Sequence, residues 1–95
     1  MLESQIQKNI IAEYEKAGWL VVKIIQTNKN GWPDLQCHKD GVTIFIECKS
    51  KKGKLSPLQI FRHQQLEEQG FKVIVLKKLI NAQKLSTKKN LVRLR

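Results

Sequence analysis

The chain has 95 residues, 41% of them hydrophobic, enough to bury one modest core and no more. Eighteen basic residues against eight acidic ones give a net charge of +10, which points to a polyanionic partner, nucleic acid ahead of an anionic membrane surface. No apolar run approaches the roughly 18 residues that a membrane helix needs, and the polar, acid-bearing opening MLESQIQKNI does not read as a signal peptide.

The charge is also lopsided. Residues 1–48 hold 5 Lys and 6 acids, whereas residues 49–95 hold 13 Lys or Arg and only 2 acids. The two cysteines, Cys37 and Cys48, come without a CxxC pair or paired histidines, so they read as reduced thiols of a cytoplasmic protein and not as a disulfide or zinc site.

In chain order, Leu2, Ile6, Ile10, Tyr14 and Ala17 recur at spacings of three and four. That stripe predicts a helix of about four turns over residues 3–17, ended by Gly18. The β-rich run WLVVKII, residues 19–25, predicts a buried strand, and QTNKNG a polar loop. Residues 32–38 and 42–49 read as two strands flanking KDG. SKKGK is a basic loop. SPLQ then opens a second helix, with Ser56 at the N-cap, Pro57 at N1 and Gln59 closing a capping box. This helix should carry Leu58, Phe61 and Leu66 inward and stop at Gly70, before a last strand, FKVIVL, over residues 71–76. The basic tail, residues 77–95, suits a short helix or a strand. The order α-β-β-β-α-β plus tail describes one α/β domain, residues 1–95, on a mixed sheet flanked by helices.

The hairpin carries the chemistry. With Asp40-Gly41 as the two-residue turn, Lys39 pairs with Val42, Cys37 with Ile44, Leu35 with Ile46 and Asp34 with Glu47. Alternation puts Leu35, Cys37, Ile44, Ile46 and Cys48 on an apolar face, and Asp34, Phe45, Glu47 and Lys49 on the other. Two carboxylates so opposed, with β-carbons about 5 Å apart, destabilise a sheet unless a cation sits between them. A hard divalent ion such as Mg²⁺ is the natural occupant, and Lys49 lies close enough to serve the same centre. The bland alternative makes Asp34 a residue after a turn proline and Glu47 and Lys49 ordinary strand-end charges.

Pro33-Asp34, followed by Glu47-Cys48-Lys49, resembles the signature of the PD-(D/E)XK nuclease superfamily. The wider frame is similar to the VRR-NUC domain, in particular its short stand-alone phage and bacterial versions. That frame consists of ESQIQKNI, GWPDL, ECKSKKGKLSPLQ and LEEQGFKVIVL, spanning about residues 3–76. The resemblance implies a restriction-endonuclease-like fold and a Mg²⁺- or Mn²⁺-dependent endonuclease acting on DNA. It implies Asp34, Glu47 and the backbone carbonyl of Cys48 as metal ligands, with Glu3 as a further candidate. Lys49 would orient the attacking water, and Gln59 would line the site. It also suggests a homodimer selective for branched, Holliday-junction-like DNA.

Other readings stay open beside these. Gln59 is explained equally well by the capping box, and Glu3 by a solvated first-turn acid. Cys48 points coreward, which removes it as a nucleophile. His38 and His63 lack a second ligand at metal spacing and are expected to be exposed. Trp32 is expected in the core or at an interface edge. Lys51, Lys52 and Lys54 read as phosphate contacts. The rival function is a non-catalytic nucleic-acid-binding module, which explains the charge but not the opposed carboxylates.

Overall fold

A computed structural model describes residues 2–77 of the chain, so the tail expected to form a helix or strand lies, from residue 78 on, outside the described residues. The elements are α1 (Glu3–Lys16), β1 (Leu20–Lys23), β2 (Leu35–Lys39), β3 (Val42–Cys48), α2 (Pro57–Glu68) and β4 (Lys72–Leu76). The order α-β-β-β-α-β is the expected one. The four strands form a mixed sheet in the order β1-β2-β3-β4, antiparallel at its first two pairings and parallel between β3 and β4. A parallel pair needs a crossover, and α2 supplies it.

The hairpin register follows from its turn. Asp40 and Gly41 both have left-handed backbones, φ 52° and 78°, the conformation that a two-residue turn demands of its central pair. Lys39 then faces Val42, Cys37 faces Ile44 and Leu35 faces Ile46. The apolar face so created meets α1, whose Ile6, Ile10 and Tyr14 sit at four-residue spacing on one side of the helix. Leu35, Cys37, Ile44, Ile46, Cys48, Trp19 and Leu76 complete that core. Leu2, at the top of the stripe, is exposed because it precedes the helix. At the other end Gly18, φ 95°, lets Trp19 N–H reach back to Tyr14 O. The Lys39 ammonium donates to Ala17 O at 2.7 Å, so the hairpin also caps α1 with a cation.

Several expectations are corrected. The run over residues 19–25 is not a buried strand. Its ladder covers only Leu20–Lys23, at the sheet's edge, and Leu20 is 64% exposed. Val21 packs on the core, but among the described residues the opposite face of β1 carries no helix, because α2 lies over β3 and β4. The second strand begins at Leu35 and not at residue 32, since Pro33 has no N–H to give to a ladder. On α2, Leu58 and Phe61 (49% exposed) point outward. The inward positions are His63 and Leu66, and His63 is buried where exposure was expected. His38 is half-buried between Gln36 and Thr43, with which it shares hydrogen bonds.

The α2-side face is packed around Phe45, which meets Trp32 and Phe71 edge-on at 5.8 and 5.6 Å between ring centroids. Within the α1-side core, Tyr14 Oη and Trp19 Nε1 are buried with no hydrogen-bond partner among the described residues. A buried hydroxyl without a partner costs stability that a phenyl ring does not. Tyr14→Phe should therefore leave urea stability unchanged or raise it, by up to about 1 kcal/mol. Ile10→Ala, in the same helix stripe, should cost about 2–5 kcal/mol.

Candidate active site

Glu47 is the next-to-last residue of β3, an inner strand, and only 1% of it is exposed. Its neighbour across the hairpin, Asp34, stands just before β2. The Asp34 carboxylate accepts the backbone N–H of Cys48 at 2.8 Å, while Asp34 O accepts from Ile24 N at 2.8 Å. Asp34 is thus tied at its side chain to β3 and at its backbone to the end of β1. The two acids meet on the α2 side of the sheet, as alternation predicts.

Two side chains of α2 reach the Glu47 carboxyl group. Gln59 Nε2 lies 3.3 Å from Oε2, and His63 Nε2 lies 3.3 Å from Oε1. Gln59 and His63 are one helical turn apart and share a face. Gln59 also completes the capping box: its Oε1 accepts Ser56 N–H at 2.9 Å, and Ser56 Oγ accepts Gln59 N–H at 3.1 Å. The cap holds the carbonyl end of the amide and thereby aims the donor end at Glu47. Cap and site were alternative readings of this glutamine; it forms the cap, and its amide nitrogen also reaches Glu47.

The loop before Asp34 is fastened to α2 as well. Arg62 Nε donates to Asn30 O at 2.9 Å. Gly31, φ 83°, passes so close to Leu58 that a β-carbon there would lie 2.9 Å from its side chain and from its carbonyl oxygen. Beside Asp34 this loop borders an open cleft of about 270 Å³, lined in part by Ile24, Lys29 and Trp32.

Lys49 is half-buried, and its charge counteracts the upward shift on Glu47. The following turn closes through Gly53 N–H to Ser50 O at 2.9 Å, and it lifts Lys51, Lys52 and Lys54 into solvent. Glu3 is exposed in the first turn of α1, yet its charge is felt at Glu47. Cys48 faces the core, where burial holds its thiol protonated, so it offers no nucleophile. His63 is the residue that the sequence reading missed. Its signal was its place four residues after Gln59.

Burial, the charge of Asp34 and a hydrogen bond with it push the Glu47 carboxyl up from 4.5 to about 8, and Glu3 adds to this. Burial lowers His63, against the pull of Glu67 and Asp34. Between about 4.5 and 8 the folded chain keeps a proton on Glu47 that the unfolded chain has lost. The stability from this group is therefore complete below the unfolded value and is lost as pH rises through the folded one. In EDTA, the melting temperature of Glu47→Gln relative to wild type should climb between pH 5 and pH 9. A difference independent of pH would contradict this electrostatic account.

The comparisons with known proteins agree with the fold. The VRR-NUC domain model matches residues 2–78. The protein "Putative nuclease p44" of Acyrthosiphon pisum secondary endosymbiont phage 1 is 36% identical over 75 residues, covering 78% of this chain and 81% of its own. A solved VRR-NUC domain structure superposes with a TM-score of 0.77 at 30% identity, covering 87% of this chain and 91% of that one. The chain belongs to the VRR-NUC family of nuclease domains.

Proposed function

We propose that the protein is a Mg²⁺- or Mn²⁺-dependent endonuclease that hydrolyses phosphodiester bonds in DNA. The observation that carries this reading is the buried carboxyl of Glu47 held against Asp34. Such a pair weakens the fold when both acids are ionised, and a divalent cation removes the conflict. Among the described residues no group of three or more His, Cys, Asp or Glu is gathered for a metal. The protein's carboxylate share is then Asp34 and Glu47, with the Cys48 carbonyl and Glu3 as further candidates. Few protein ligands, with water and phosphate oxygens completing the shell, suit Mg²⁺. When bound, the ion would supply a Lewis acid that neutralises the scissile phosphate and acidifies water.

The chain's own residues do the rest. Asp34, just before β2, and Glu47, in β3, would hold the centre, in a register that the hairpin turn fixes. Lys49, beside Glu47, would orient the attacking water and stabilise the charge developing on the phosphoryl group. Lys51, Lys52 and Lys54 would contact sugar–phosphate on either side of the cut without reading bases. The cleft between Asp34 and the loop that precedes it offers a path for the strand. One chain presents one such centre among the described residues, so cutting both strands of branched DNA calls for two copies, and we infer a homodimer. A non-catalytic binding module would account for the basic surface but would have no use for the Asp34–Glu47 pair.

Glu47→Ala and Asp34→Ala should abolish cleavage of labelled duplex and four-way-junction DNA in Mn²⁺ while leaving binding intact. Unchanged cleavage in either variant would overturn the assignment. Binding should weaken along a straight line on log–log axes as salt rises, whatever the sequence, when followed by fluorescence anisotropy. Under single-turnover conditions, Lys49→Ala should slow cleavage by about two orders of magnitude or more, in the range for loss of one transition-state donor. Lys52→Ala, compared at saturating enzyme, should cleave at the wild-type rate and show only weaker binding.

A further inference from the structure

We propose that His63 is a positioning residue: together with Gln59 it grips both oxygens of Glu47 from α2 and fixes how that carboxylate is turned toward the cation. This rests on the reading of Asp34 and Glu47 as the metal-holding pair. The geometry is a two-point clamp. Gln59 and His63 stand one turn apart on one helix face, and each approaches a different oxygen of one carboxyl group at 3.3 Å. A carboxylate has about four acceptor directions. One donor on each oxygen leaves a direction per oxygen for other partners and removes the free rotation that would blur where they point.

Packing alone does not explain the residue. His63 is 6% exposed on a face of α2 that it shares with Leu66, where an apolar side chain would fill space without the cost of burying a polar ring. Nε2 is the ring nitrogen that faces Glu47 Oε1, and the clamp has it donate Nε2–H to that oxygen. A hydrogen-bond donor on each oxygen orients the carboxylate and leaves it free to face a metal. That is the part that outer hydrogen-bond partners play around metal ligands, where their loss costs about 10–100-fold in affinity.

The test uses the full-length protein without DNA. Calorimetric titration with Mn²⁺ compares wild type with His63→Leu, which keeps bulk but removes the donor, and with His63→Gln, whose amide nitrogen can take the place of Nε2. Circular dichroism confirms folding of each. We expect His63→Leu to bind Mn²⁺ about 10-fold or more weakly and His63→Gln to stay within a few-fold of wild type. Folded His63→Leu with wild-type affinity would overturn the clamp, as would equal losses in both variants. Long-range ¹H–¹⁵N spectra of the histidine rings in metal-free protein give a second readout. The His63 ring should be the Nε2–H tautomer, with a nitrogen shift that moves in Glu47→Gln. Wild type that takes up no Mn²⁺ would sink the metal reading, and the ring spectrum would still decide the clamp. A His63 signal indifferent to residue 47 overturns it.

Discussion

A carboxyl group near the end of an inner strand, sealed from water and set against a second carboxyl group, is a liability that shapes everything near it. Glu47 has lost almost all contact with solvent, and Asp34 raises the cost of its charge. The fold answers with donors. Cys48 N–H takes one oxygen of Asp34, and α2 brings Gln59 and His63 to the two oxygens of Glu47. The inner face of α2 is accordingly partly polar, and the helix is placed by what Glu47 needs as much as by apolar burial. Lys49 adds a cation at the rim. The unpaired remainder of negative charge is what a divalent ion would meet.

Two halves of the sheet do different work. The α1 side is an ordinary apolar core, made of Ile6, Ile10 and Tyr14 against Leu35, Cys37, Ile44, Ile46 and Cys48. It anchors the hairpin on α1. The α2 side carries the acids, the clamp and the aromatic packing of Trp32, Phe45 and Phe71. Side-chain alternation along β3 therefore separates the apolar core from the acidic pair residue by residue: Cys48 belongs to the first and Glu47 to the second. The change of charge along the sequence falls at the same point. Lys49, Lys51, Lys52 and Lys54 follow Glu47 directly, so the basic half of the chain begins beside the carboxylates.

Those parts of the structure governed by local rules were legible in the sequence. The Asp-Gly turn set the hairpin register because two adjacent left-handed residues allow only one tight connection. Ser56, Pro57 and Gln59 marked the start of α2 because capping chemistry is local. The inner face of α2 was misread for a reason of the same kind. Leu58, Phe61 and Leu66 look like an apolar stripe, and periodicity assumes that a helix buries its apolar side. This helix covers a polar centre instead, which turns Leu58 and Phe61 outward and brings His63 in. No property of His63 taken alone shows this. It appears only when Gln59 is assigned to the site and the helix is followed one turn further. For β1, composition reported strand character correctly, but whether a helix covers a strand depends on where distant segments pack.

The amide of Gln59 links two properties usually considered apart. Its carbonyl end closes the first turn of α2, and its nitrogen end steadies Glu47. Helix ends fray, and each excursion of that turn would release the carboxylate on one side. Removing a serine cap costs typically about 1 kcal/mol, which corresponds to a roughly fivefold larger frayed population. Ser56 reaches Glu47 through Gln59, so its loss would be felt at that carboxyl as intermittent disorder. The centre would spend more of its time half-built, with every residue of it still in place.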